Sequence, residues 1–191
     1  MKKMILFDFF GVISSPVYMQ AFDQYIPKEE VSEWVPKLDL LDLGTLPEQE
    51  LVEQIASKVS TTEKEVWNTV TNVPKINMEL LDYISETLKK VYSVGMLTNV
   101  HTSILKRILS EKLSLFDPVF TSSDLGYVKP DPLIFEAVLN AVEFPPKNII
   151  FVDDSPKNIT VARTFGINGI VYKNNDTLIE QIEFATRHNN G

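Results

Sequence analysis

Four short stretches of the chain set residues capable of chemistry directly after, or close behind, runs of large apolar residues. Asp8 follows Met4-Ile5-Leu6-Phe7, and Gly11 nearby permits a sharp backbone turn, so the carboxylate could stand at a strand tip as a nucleophile. Thr98-Asn99 follows Val94 to Leu97; a hydroxyl and backbone N–H groups just ahead of a helix suit phosphate oxygens. Lys129 sits in Gly126-Tyr127-Val128-Lys129-Pro130, where the proline disfavours the α conformation at the lysine and keeps it on a short constrained loop. Its ammonium could neutralise a nucleophile and an anionic substrate together. Asp153-Asp154 closes Asn148 to Val152, and a hard cation is one way to relieve two adjacent carboxylates.

Each stretch alone has an ordinary structural explanation. Asp8 could cap a turn, Thr98 or Asn99 a helix, and Asp154 or Ser155 another helix, while most loop lysines are simply solvated. Their shared placement carries more weight. All four fall at predicted carboxyl ends of separate strands, where a single sheet would bring them together.

The elements that must position them follow from the hydrophobic pattern. Strands are predicted over Met4 to Phe7, Val94 to Leu97, Asn148 to Val152 and Gly169 to Tyr172, with Pro118 to Phe120 as a weaker edge candidate. Apolar residues at helical spacing predict helices over Met78 to Lys90, with Asn77 as N-cap, and over Thr102 to Leu113, Pro132 to Val142, Pro156 to Phe165 and Thr177 to Ala185. Strands alternating with helices imply right-handed crossovers and a three-layer α/β/α sandwich around a parallel, Rossmann-like sheet. Residues 14–74 break this rhythm, because a simple crossover needs only a dozen or so residues. The helical patterns Val17 to Tyr25, Lys28 to Leu38, Pro47 to Val59 and Thr62 to Val70, punctuated by Pro27, Pro36, Gly44 and Pro47, predict a small α-helical cap inserted after the first strand. Residues 1–13 and 75–191 then form the α/β core.

The 191 residues carry a net charge of −8, with 44% hydrophobic and 23% charged residues. That balance fits a globular domain with a sizeable core. It argues against a nucleic-acid binder, which needs a basic face. The absence of cysteine removes disulfides, thiolate metal sites and a cysteine nucleophile. No apolar stretch is long enough to span a membrane, and Asp8 interrupts the only run that imitates a secretory leader, so a cytoplasmic protein is expected.

In order and wording, Phe7-Asp8-Phe9-Phe10-Gly11-Val12, Thr98-Asn99, Gly126-Tyr127-Val128-Lys129-Pro130 and Asp153-Asp154-Ser155 with Asn158 resemble the haloacid dehalogenase superfamily. The resemblance spans the core from end to end. It implies a hydrolase that acts through Asp8, with Mg2+ held by Asp8, the backbone carbonyl of Phe10, and Asp153 with or without Asp154. It also implies that Thr98 and Asn99 bind the transferring group and that Lys129 balances its charge. The expected activity is removal of phosphate from a small phosphorylated metabolite, possible sugar phosphates included, through an aspartyl-phosphate on Asp8.

Phe10 departs from the pattern. Most phosphatases of the family have there a second Asp, which protonates the leaving oxygen, and such assistance is typically worth about 10²–10⁴ in rate. Three readings follow. The chain resembles sugar-1-phosphate phosphatases that also lack this acid, with a good leaving group or with Ser14, Tyr18 or His101 as substitute. A 2-haloacid dehalogenase is the alternative, since an aromatic residue is usual there, but the arginines, Arg107, Arg163 and Arg187, all lie outside the cap. The third is a catalytically impaired binding protein. Specificity is expected from the cap, where Tyr18, Phe22, Trp34 and Trp67 are candidates. With Phe10 and no substitute acid, rates should climb steeply with the acidity of the leaving alcohol.

Overall fold

The computed structural model describes residues 2–15, 25–72 and 74–188. Five strands form one parallel sheet in the order β3-β2-β1-β4-β5: β1 (Met4–Phe7), β2 (Ser93–Thr98), β3 (Val119–Thr121), β4 (Ile149–Asp153) and β5 (Asn168–Val171). Phe7 pairs with Met96 on one side and Val152 on the other. The weak candidate around Pro118 is indeed the edge strand. The chain turns from β1 toward β2 and β3, then returns to the far side of β1 for β4. The carboxyl ends of β1, β2 and β4 therefore flank the point where the winding reverses, the crevice in which open α/β sheets place ligands.

Alternation along the strands builds two cores. Ile5 and Phe7 of β1, with Ile150 and Val152 of β4, face a cluster that includes Leu80, Leu81 and Ile84 of α4 (Met78–Glu86), Ile104 and Leu105 of α5 (Thr102–Leu109), and Leu178 and Ile182 of α9 (Asn175–His188). Met4 and Leu6, with Ile149 and Phe151, face Ile134, Phe135 and Val138 of α7 (Pro132–Ala141) and Ile159 and Ala162 of α8 (Pro156–Thr164). Strands buried on both faces explain why they read as unbroken apolar runs rather than as alternating ones. Lys3, at the start of β1, donates to the carbonyls of Ala185 and Thr186 and so ties the last turn of α9 to the sheet.

Between Ser15 and Lys75 the described helices are α1 (Val31–Asp42), α2 (Glu48–Lys58) and α3 (Glu63–Asn72). The predicted helix over Val17 to Tyr25 lies almost wholly outside the described residues. Pro36 does not end α1, which runs six residues beyond it. The proline removes a single bond, to the carbonyl of Ser32, and Ser32 is exposed so water can replace it. Burial of Trp34 and Leu41 on the helix's inner side favours continuation. These helices share the larger core: Leu51, Val52, Ile55, Val66 and Val70 belong to the cluster that lies under β1 and β4.

The chain leaves and re-enters the sheet region side by side. Ser14 bridges Ile76 in antiparallel fashion, Ser15 N–H donates to Lys75 O (3.1 Å), and Asn77 N–H donates to Ile13 O (2.9 Å). Asn77 caps α4 as expected, accepting from Leu80 N–H, while its amide also donates to Tyr172 Oη (3.0 Å) and Asn175 Oδ1 (2.9 Å). One side chain thus fastens the return of the inserted segment to the end of the sheet.

Candidate active site

The carboxyl ends of the strands bring the predicted chemical residues together. Asp8 extends β1 by one residue, its N–H donating to Val152 O (2.8 Å), and its carboxylate accepts from the N–H of Phe9 (2.7 Å). Asp153 ends β4 and is fully buried. Lys129 reaches between them from the loop after α6 (Ser122–Leu125), with Nζ 2.7 Å from Asp8 Oδ1, 2.7 Å from Asp153 Oδ2 and 3.0 Å from Leu97 O. All three ammonium protons are therefore committed, so the lysine is fixed rather than solvated.

The remaining groups hold these in place. Asn158, in the first turn of α8, donates to both oxygens of Asp153 (2.9 and 3.0 Å), and Ser155 N–H donates to Oδ1 (2.8 Å). Asn158 is buried, so its Asn-Ile-Thr sequence context is structural rather than a glycosylation site. Asn99 makes a two-way clamp on the Lys129 backbone, accepting from its N–H (2.8 Å) and donating to its carbonyl (2.9 Å). Neither Thr98 nor Asn99 caps α5; that position belongs to His101. Thr98 instead ends β2, wholly buried, and its Oγ1 has no partner among the described residues.

Electrostatics follow from burial. Burial pushes the Asp8 carboxyl up to about 6, with Lys129 pulling it down and Asp153 pushing it up. Burial works against the Lys129 charge, but Asp8 and Asp153 outweigh it and hold the ammonium above the ordinary lysine value. Asp154 is raised by burial and by the neighbouring Asp153.

Asp8, Asp153 and Asp154 bring one carboxylate oxygen each to within 4.8 Å of one another, a set of hard oxygen donors that fits a divalent cation such as Mg2+. Gly11 makes the cluster possible. Its φ is +83°, and a Cβ there would stand 2.2 Å from Asp154 Oδ2, so only glycine lets that carboxylate lie against the loop after β1. Phe10, in the same loop, turns its ring to Phe9 (4.8 Å between centroids) and the larger core.

A sequence profile of the haloacid dehalogenase-like hydrolases matches residues 2–166. The chain is a haloacid dehalogenase-like hydrolase. It is similar to the D-ribitol-5-phosphate phosphatase of Bacteroides thetaiotaomicron, 28% identical over 87% of this chain and 89% of that protein. Its fold superposes on a predicted HAD-like family hydrolase of Porphyromonas gingivalis with a TM-score of 0.80 at 25% identity, covering 98% of this chain and 99% of the other. A Bacteroides thetaiotaomicron HAD family enzyme in complex with magnesium and inorganic phosphate superposes with a TM-score of 0.77 at 22% identity, covering 91% and 95%. The hydrolase also spans only 34% and 28% of the length of longer curated relatives that it matches.

The other residues singled out in the sequence have structural employment. Ser14 is buried and donates to the carbonyl of Ser15. His101 Nδ1 lies 2.9 Å from Glu48 Oε2 of α2, joining the inserted helices to the start of α5. Trp34 is buried, and Trp67 packs beneath the guanidinium of Arg107 at 4.3 Å from the ring centre. Tyr18 and Phe22 lie outside the described residues. No helix among the described residues is long and apolar enough to cross a membrane. Sequence reasoning missed Asp42, at the end of α1, half-buried, with Oδ1 shut off from solvent and without a partner among the described residues. An acid before Leu43-Gly44 carries no motif that would have marked it.

Proposed function

We propose that this hydrolase is a Mg2+-dependent phosphatase of small phosphorylated metabolites, with Asp8 attacking phosphorus. The observation that carries the reading is the buried pair of carboxylates bridged by Lys129, with Asp154 alongside. A dehalogenase has no need of the three-acid cluster, and that cluster favours the phosphatase over the dehalogenase reading of Phe10. The curated phosphatase relative, which matches along nearly its whole length, points the same way.

Asp8 sits at the strand tip with one oxygen, Oδ1, held by Lys129 and by the N–H of Phe9, which leaves Oδ2 as the attacking atom. Attack on phosphorus expels the alcohol and leaves an aspartyl-phosphate, which water then hydrolyses to phosphate and free Asp8. Lys129 offsets the negative charge of the Asp8 carboxylate, so that an anionic phosphate can approach it, and its position is set by Asn99 and Asp153. The unpartnered Thr98 hydroxyl is suited to a phosphoryl oxygen; a buried hydroxyl left without a partner costs about 1–3 kcal/mol, which such a ligand would recover. Mg2+ held by Asp8, the Phe10 carbonyl and the Asp153-Asp154 pair would supply charge neutralisation at the phosphoryl oxygens. Residues 14–74 act as the cap that covers the site.

The test is phosphate release from p-nitrophenyl phosphate, sugar 1-phosphates and sugar phosphates of primary alcohols, with and without Mg2+, beside chloride release from 2-chloropropionate. Phosphate release that requires the metal and disappears in Asp8→Asn is expected. Metal-independent chloride release would replace this reading with the dehalogenase.

A further inference from the structure

The loop after β1 offers no acid for the leaving group, since Phe10 occupies that place and packs into the core. The inserted helices carry a half-buried acid, Asp42. Helix α1 ends at Asp42 and packs against α6, the short helix that leads into the Lys129 loop. Gly44 makes the close approach: its φ is +72°, and a Cβ there would meet the Ser123 carbonyl at 2.6 Å. The cap therefore presses directly onto the core two residues from Asp42. Asp42 thus stands at the end of α1 that meets the helix leading to Lys129, and its buried Oδ1 has no partner among the described residues.

From this placement we infer that Asp42 is the general acid and base of the reaction, delivered by the cap in place of the acid missing at Phe10. The inference rests on the phosphatase reading. As Asp8 attacks, the phosphorus–oxygen bond breaks, its electron pair stays on the alcohol oxygen, and that oxygen takes the Asp42 proton. In the second half, the Asp42 carboxylate takes a proton from the water that attacks the aspartyl-phosphate, which returns Asp8 to its carboxylate and restores protonated Asp42.

The protonation state suits the role. Burial, then repulsion from Asp39, pushes Asp42 up to about 7, against the opposing pull of Lys129. The other charged groups on the elements packed around it are engaged elsewhere. Asp124 of α6 accepts from Thr102, Glu48 of α2 lies against His101, and Lys58 pairs with Glu30. An acid close to neutral is half protonated where such an enzyme works, which is the condition for serving in both halves of the cycle.

The experiment is a leaving-group series, from p-nitrophenyl phosphate to simple alkyl phosphates, with Mg2+, for the wild type, Asp42→Asn and Asp42→Glu. The wild type should show a shallow dependence of kcat/KM on alcohol acidity. Asp42→Asn should lose about 10²–10⁴ on alkyl esters and only a few-fold on p-nitrophenyl phosphate, whose leaving group needs no proton. Asp42→Glu should restore part of the alkyl activity, and the fall in wild-type alkyl activity above about pH 7 should vanish in Asp42→Asn. The steep dependence expected from Phe10 alone then belongs to the variant. Equal losses on both ester types, or an unchanged slope, would overturn the assignment while leaving the phosphatase reading intact. A wild type that releases no phosphate from any ester would overturn both.

Discussion

At the scale of single residues, the site is a set of buried charges that stabilise one another only while all are present. Lys129→Met would leave Asp8 and Asp153 facing each other without a cation, and breaking a buried pair in this way costs about 3–5 kcal/mol. Chemical denaturation should show that loss together with an inactive enzyme; Lys129→Met with wild-type stability would mean that the carboxylates are not forced together. Gly11→Ala meets both a left-handed φ and the Asp154 carboxylate, so it should abolish stabilisation by Mg2+ and activity together. Asp42 gives a pH signature separate from turnover. Its carboxyl is raised when folded, so the native chain holds the proton more tightly than the unfolded one, and stability contributed by protonated Asp42 is lost as pH rises from the ordinary carboxyl range through about 7. Asp42→Asn should accordingly melt higher than the wild type at pH 8 and gain distinctly less at pH 5. A gain of equal size at both pH values would show that the carboxyl is not raised. Asp8, Thr98 and Asp153-Asp154 were legible in the sequence because each follows an apolar run whose strand identity could be read, whereas Lys129, expected at a strand end, stands on the loop after α6 and was marked only by Pro130 beside it. The division of labour among them was not legible. Asn99 spends both ends of its amide on the Lys129 backbone, and only the folded path of the loop reveals that.

At the scale of elements, hydrophobic pattern was enough wherever a segment is buried on a defined face. The five strands and the helices that cover them fall where the apolar runs and the helical spacing set them, with ends shifted by a few residues. Pro36 lies inside α1, as the predicted helix over Lys28 to Leu38 requires, and is tolerated because water can reach the carbonyl it leaves unpaired. His101 was a candidate substitute acid, whereas its ring caps α5 and meets Glu48, a contact between segments far apart in sequence. Asn77 was legible as a cap, but its bonds to Tyr172 and Asn175 were not. Asn77→Ala should lose about 1 kcal/mol for the cap alone and more for the hinge contacts. Thermal melting would check it, and a variant as stable as the wild type would show that the return strand is held by its backbone pairs alone.

For the whole molecule, the inserted helices and one face of the sheet share a continuous apolar cluster, so the chain should unfold in one cooperative transition rather than cap first. A cation that binds only the folded site adds to that stability by mass action, about 2.7 kcal/mol at a hundred times its dissociation constant. Mg2+ should thus raise the melting temperature, and a chelator should reverse the rise. The same shift in a variant lacking Asp8, Asp153 and Asp154 would place the cation elsewhere. The central claim concerns the bond that Asp8 forms. It is tested most directly by quenching the enzyme in acid during turnover of a phosphate ester with Mg2+ and weighing its peptides. The account predicts the mass of one phosphoryl group on the peptide containing Asp8, absent without Mg2+ and absent in Asp8→Asn. Sustained Mg2+-dependent phosphate release by an Asp8→Asn enzyme, with that peptide unmodified, would contradict it.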